Sequence, residues 1–147
     1  MIIREATIKD FDGLMNLYTM LHGNKIPEKT EDVMNKWEMI IEDKNHHVIV
    51  ADEDGKIVSS VICVIIPNLT HNQRSYAFIE NVITDEKYRG NHYASKCLSY
   101  AYDIAKEENC YKMMLLTGST EDKTLNFYRN NGYNSEDKTA FIRWINP

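Results

Sequence analysis

Glu80-Asn81-Val82-Ile83-Thr84-Asp85-Glu86-Lys87-Tyr88-Arg89-Gly90-Asn91-His92-Tyr93-Ala94 is the stretch on which the reading of this chain turns. Up to Thr84 it continues a run that begins at residue 75 and is rich in β-branched and aromatic side chains, which predicts a strand over 75–84. After Ala94 the apolar residues Leu98, Ala101, Ile104 and Ala105 recur at intervals of three and four, which predicts a long helix ending near Asn109. Between them lies a short polar turn with Arg89 and Gly90. A strand, a basic glycine-bearing turn and a helix form a physical anion site. The first-turn amides have no acceptor inside the helix, and the helix dipole places partial positive charge on them. Gly90 can take backbone angles that other residues avoid. Taken alone, one glycine and one arginine before a helix are more often a plain turn and a solvated charge.

Outward from this stretch the elements alternate. Residues 2–5 read as a first strand. Thr7-x-x-Asp10 resembles a helix cap, followed by Phe11, Leu14, Met15, Tyr18 and Leu21 at helical spacing as far as Gly23. Thr30 opens a second helix with Val33, Met34, Trp37 and Ile40 on one face, and Pro27 lies in the connection before it. Residues 47–52 and 56–66 flank Glu53-Asp54-Gly55, and Asp-Gly between β-rich runs is a hairpin signal. Pro67 ends the second run, and 68–74 is polar and reads as a loop. Beyond Asn109, residues 111–117 predict a strand, 125–130 a short helix closed by Asn131-Gly132, and 139–145 a last strand. The order β-α-α-β-β-β-α-β-α-β is an α+β or α/β mix around a central sheet. The fourth and fifth strands, joined through a helix, should run parallel.

With its neighbours in place, the quoted stretch resembles the acetyl-CoA signature of the GNAT family of N-acetyltransferases, an Arg/Gln-x-x-Gly-x-Gly/Ala turn between a strand and a helix. Asn126-Phe127-Tyr128-Arg129-Asn130-Asn131-Gly132-Tyr133 is similar to that family's second landmark, a tyrosine in a short helix before Gly-Phe or Gly-Tyr. The element order agrees over almost the whole chain, while the motif-level likeness is confined to residues 80–133. One position departs: His92 stands where the family usually has glycine. The resemblance implies one N-acetyltransferase domain over residues 1–147. It further implies a GNAT-like mixed sheet with helices on both faces and parallel, splayed fourth and fifth strands. Acetyl-CoA is the implied co-substrate. Its pantetheine arm would pair with backbone at Val82, Ile83 and Thr84, and its pyrophosphate would sit on the turn carrying Arg89, Gly90, Asn91, His92, Tyr93, Ala94 and Ser95. An amide near Val82 would polarise the thioester carbonyl.

By the same resemblance Glu80 is the candidate base and Tyr128 the candidate acid. A free alkyl amine has a pKa of about 10 and must lose a proton before it attacks. Glu80 as a base is weighed evenly against Glu80 as a partner of a lysine or arginine at a strand edge, and Tyr128 is weighed against a core role. Glu121 falls where many relatives carry a cofactor-contacting asparagine, so it receives no cofactor role. His71 is a candidate to line the acceptor side, though a lone loop histidine is more often just exposed. The acceptor pocket is expected from residues 21–37 and 67–75. Within it Trp37 and Tyr18 are candidate walls, for which core packing is the better reading.

The rest of the composition narrows the class. A net charge of −5 argues against a nucleic-acid partner. The longest apolar run, residues 61–66, is far too short to cross a bilayer, and the N-terminus has no signal-peptide pattern, so a soluble cytoplasmic protein with no membrane partner is expected. Cys63, Cys97 and Cys110 are widely spaced, and His46 and His47 point to opposite faces of a strand, so no metal is expected. The expected partner is a small-molecule or peptide amine. A homodimer through the apolar surface of the last strand or of the helices stays open. Two rivals remain: a CoA-binding sensor or interaction module of the same fold, and, more weakly, a nucleotide-binding domain, whose glycine-loop motifs are missing.

Overall fold

The computed structural model describes residues 1–21 and 23–146 and divides into two compact units, Met1–Leu115 and Leu116–Pro147, each considered by itself. The first holds β1 (Ile2–Glu5), α1 (Phe11–Tyr18), α2 (Glu31–Glu42), β2 (His46–Glu53), β3 (Lys56–Ile66) and α3, one turn over Thr70–Gln73. After these come β4 (Tyr76–Thr84), α4 (Tyr93–Glu107) and β5 (Met113–Leu115). The five strands lie in the order β1-β2-β3-β4-β5. Every pair is antiparallel except β4 with β5, which is parallel as the connecting helix required.

Alternation along the strands sorts the core. Val48 and Val50 of β2, Ile57 and Ile62 of β3 and Ile83 of β4 face Phe11, Leu14 and Leu17 of α1 and Trp37 of α2. The intervening Ile49 and Ala51 point the other way, where α4 packs with Cys97, Leu98, Ala101 and Ala105 buried at helical spacing. Helices therefore cover both faces of the sheet. Gly13 lets α1 lie this close, because a Cβ there would sit 3.0 Å from Cγ1 of Ile57. Two serines interrupt the apolar run of β3 without cost, since both hydroxyls are bonded. Ser60 Oγ donates to the Ile49 carbonyl at 2.8 Å and Ser59 Oγ to that of Ile83 at 3.1 Å.

Several sequence expectations meet their local causes here. The Thr7 amide donates to the Asp10 carboxylate at 2.7 Å, and Thr30 Oγ1 accepts from the Val33 amide at 3.2 Å. The first helix ends at Tyr18 rather than near Gly23. The amides of Met20 and Leu21 bond back three residues, to Leu17 and Tyr18, so the chain has left the α-helical ladder. The polar 68–74 segment is not wholly loop, because His71, Asn72 and Gln73 take left-handed angles and close the tight turn α3.

The second unit holds α5 (Asp122–Asn130), closed as expected by Gly132 at φ +93°. The predicted last strand over 139–145 is a correction: these residues take no regular structure. Their β-rich composition is a preference for a pleated, partnered surface, and no described strand supplies that partner.

Candidate active site

Asn81 determines how β4 ends. Glu80 pairs with Ile62 and Ile83 with Ser60, so Asn81 and Val82 together oppose Val61, and Asn81 takes a left-handed φ of +49°. This is a bulge, which bends a strand and re-aims its side chains. The β4–β5 ladder runs only from Ala77↔Met113 to Ile79↔Leu115, so Val82, Ile83 and Thr84 have no ladder with β5; Ile83 and Thr84 pair with β3, while Val82 lies in the bulge. The Ile83 side chain lies in the core, and its backbone pairs with Ser60 while its carbonyl accepts from Ser59 Oγ.

Glu80 stands just before the bulge, its side chain exposed. Its carboxylate makes no hydrogen bond or ion pair with a described residue.

The turn after β4 is fixed by a residue the sequence reading passed over. Asp85 is buried, its Oδ1 accepts from the Lys87 amide at 2.9 Å, and its Oδ2 meets Lys56 Nζ at 3.2 Å. The Lys87 amide first, and Lys56 after it, hold this carboxyl below the usual carboxylate range against the cost of burial. Asp85→Asn keeps the capping oxygen and removes the charge, and it is expected to cost about 1–2 kcal/mol of stability at neutral pH. A carboxyl with a depressed folded pKa stabilises fully above its unfolded value of about 3.9 and loses that contribution as pH falls through the folded value. The difference between wild type and variant in urea denaturation should therefore shrink below about pH 4.

Arg89 folds back, its Nε donating to the Thr84 carbonyl at 3.3 Å, while Asn91 Nδ2 donates to the Tyr88 carbonyl at 3.0 Å. Gly90 has φ +82° and His92 φ +62°. The second value explains the departure in the motif: this position needs a left-handed residue, glycine takes it freely, and histidine takes it at a cost in backbone strain. The first helical bond runs from the Lys96 amide to the His92 carbonyl at 3.0 Å, which leaves the amides of Tyr93, Ala94 and Ser95 ahead of the helical ladder. Arg89, Gly90, Asn91 and His92 are exposed, and Tyr93, Ala94 and Ser95 are half-buried. Tyr93 is held aside, its hydroxyl donating to Glu53 Oε2 at 2.6 Å, and this bond raises its pKa.

On the α1 side, the buried Tyr18 hydroxyl lies near Asn81 and Ser60 without the geometry of a hydrogen bond to either, and burial pushes its pKa up to about 12. A cavity of about 380 Å³ lies between α1 and α2, lined by Phe11, Met15, Pro27, Val33, Trp37 and Ile40 among others. It overlaps the expected acceptor region at Pro27, Asp32, Val33, Lys36 and Trp37. Trp37 is 4 % exposed, its Nε1 donates to the Ile8 carbonyl at 2.9 Å, and its ring meets Phe11 edge-on at 5.9 Å, the contacts of a core residue. The His71 ring stacks on Tyr111 with centroids 3.9 Å apart.

Burial raises the thiols of Cys63 to about 12 and Cys97 to about 11, so neither is a thiolate nucleophile at neutral pH. No three His, Cys, Asp or Glu side chains converge on a metal-sized gap among the described residues, and no described helix is long and apolar enough to cross a membrane.

In the second unit Tyr128 lies half-buried on α5 between two rings, with Phe127 at 5.1 Å and Tyr133 at 6.3 Å between centroids. Glu121 precedes the first turn of that helix.

Residues 11–133 match the family model described as the acetyltransferase (GNAT) family. A glucosamine 6-phosphate N-acetyltransferase from Trypanosoma brucei brucei is 30 % identical over 84 residues, a match that takes in 57 % of this chain and about half (55 %) of that protein. A solved structure from Agrobacterium tumefaciens str. C58, provisionally described as an acetyltransferase, superposes with a TM-score of 0.90 at 36 % identity, over 98 % of this chain and 100 % of that one. A second, described as a transcriptional regulator from Bacillus halodurans C-125, superposes with a TM-score of 0.86 at 26 % identity, over 97 % and 99 %.

Proposed function

Because the chain belongs to the GNAT family of acetyltransferases, we propose that it transfers the acetyl group of acetyl-CoA to a primary amine of a small molecule or peptide, within one domain over residues 1–147. The observation that carries this reading is the pairing of an unladdered β4 edge at Val82, Ile83 and Thr84 with first-turn amides ahead of the α4 ladder. The first suits the amide groups of a pantetheine arm. The second suits a diphosphate, with Arg89, Gly90, Asn91, His92, Tyr93, Ala94 and Ser95 around it.

Chemistry follows in three movements. Glu80, directly or through water, takes a proton from the ammonium form of the acceptor. The free amine attacks the thioester carbon, and the charge that gathers on the carbonyl oxygen is met by a backbone amide near Val82. The C–S bond then breaks, sulfur keeps the electron pair, and Tyr128 donates a proton to it. The attacking nitrogen gives up its second proton to solvent, solvent reprotonates the tyrosine, and Glu80 releases its proton to solvent.

Glu80→Gln removes the base and should lower kcat by roughly ten-fold or more at neutral pH. The loss should lessen as pH rises towards the pKa of the acceptor amine. Unchanged rates over the whole pH range would pass the role to a water chain. The assay is thiol release from acetyl-CoA over a panel of amines. Glucosamine 6-phosphate heads it, since a relative carries that name, followed by other amino sugars, polyamines, amino acids, aminoglycosides and peptides.

A second reading draws on the Bacillus halodurans relative described as a regulator and on the strained His92 in the phosphate turn. It is a CoA-binding sensor that keeps the fold without turnover. Binding of acetyl-CoA with no thiol release across the panel would favour it.

A further inference from the structure

One hairpin ties down both ends of the turn between β4 and α4. β2 and β3 meet at Glu53-Asp54-Gly55-Lys56, where Glu53 pairs with Lys56 and the two central residues take φ +51° and +90°. Left-handed angles at both central positions make a tight two-residue turn, and within it the Gly55 amide donates to Asp52 Oδ1 at 2.7 Å. Asp52 is held in turn by Arg4 of β1 at 3.0 Å, so the hairpin tip is a fixed point. Two side chains reach from it. Lys56 Nζ meets Asp85 Oδ2 at 3.2 Å, where the turn starts, and lies 4.9 Å from the centre of the Tyr88 ring. Glu53 Oε2 accepts from the Tyr93 hydroxyl at 2.6 Å, where the turn ends and α4 begins. The Tyr88 and Tyr93 rings close the circuit edge-on, with centroids 6.2 Å apart.

We propose that this hairpin tip is a brace for the CoA site, and that Glu53 is a positioning residue for diphosphate binding, acting through Tyr93. The inference rests on the reading of residues 89–95 as the diphosphate turn. Two observations ask for a brace at this point. The side chains of Arg89 and Asn91 bond back to carbonyls of residues 84, 88 and 89, within the segment that leads into the turn, so they shape it without fixing where α4 starts. The other is His92, whose left-handed φ of +62° is strained for a residue with a Cβ. Such strain persists where the surroundings over-determine the backbone, and the next residue, Tyr93, is the one that Glu53 holds.

Charge alone predicts the opposite effect. Glu53 is an anion bonded to the first residue of α4, so by Coulomb repulsion its removal should tighten the binding of a diphosphate there. The brace predicts looser binding. A released Tyr93 gains rotamers that must be frozen again when an anion docks on the first-turn amides.

Isothermal titration calorimetry of the full chain with acetyl-CoA separates the two. Glu53→Ala and Tyr93→Phe should each raise the Kd roughly five- to ten-fold, and the double variant should lose no more than either alone, because both break the same bond. Glu53→Gln removes the same charge but keeps an oxygen for the phenol, and should recover a Kd within about two-fold of the wild type. In turnover the loss should appear in the KM for acetyl-CoA and not in kcat. A folding defect would lower the number of binding sites rather than the affinity, so the titration distinguishes it from a lost brace. Wild-type affinity in Glu53→Ala, additive losses in the double variant, an equal loss in Glu53→Gln and Glu53→Ala, or a loss confined to kcat would each overturn the brace and leave the CoA site standing. No heat with the wild type would remove the site and the brace together.

Discussion

Tyr128→Phe is expected to lower kcat by about ten-fold or more, within the range for a lost general acid. The thiolate of coenzyme A leaves with a pKa near that of a free thiol, about 8.5, and in the proposed reaction the Tyr128 phenol supplies the proton as the C–S bond lengthens. Phenylalanine keeps the ring that packs between Phe127 and Tyr133 and removes only the hydroxyl. Steady-state rates with a good acceptor, fitted for kcat and KM separately, check it. Equal kcat in the two proteins would take Tyr128 out of the reaction and leave it as packing on α5.

Trp37→Ala is expected to destabilise the protein by about 3–5 kcal/mol, the range for deleting a buried tryptophan. Several losses coincide at this site. The indole is nearly inaccessible, its edge-on contact with Phe11 disappears, and the Ile8 carbonyl loses the Nε1–H donor. The cavity between α1 and α2 already adjoins the ring, so truncation enlarges an existing void rather than letting neighbours close over it. Urea denaturation followed by far-UV circular dichroism measures the change. A pocket wall would behave differently, with near-normal stability and a raised KM for the acceptor. That pattern would move Trp37 from the core to the substrate site.

What the sequence revealed depended on whether the deciding interaction was local. The hairpin at Asp54-Gly55 and the cap at Thr30 are set within four residues, and both formed where the sequence placed them. The strand–turn–helix of residues 76–107 was legible because alternating and helical periods meet at Arg89 and Gly90. Asp85 was missed, since a buried carboxylate between an amide two residues on and a lysine from the neighbouring hairpin leaves no pattern along the chain. The buried Tyr18 hydroxyl was hidden for the same reason: its helical spacing announced packing and nothing about the polar tip. The predicted strand at 139–145 marks the opposite limit. Composition states what a segment would do on a sheet edge, and the edge itself is a tertiary fact.

The catalytic assignments all depend on CoA lying along the β4 edge with its diphosphate at the α4 N-terminus. Isothermal titration calorimetry of the full chain with acetyl-CoA and with free CoA measures this directly. A saturable heat of association with both ligands is the predicted result. No detectable heat with either, up to millimolar ligand, would contradict it.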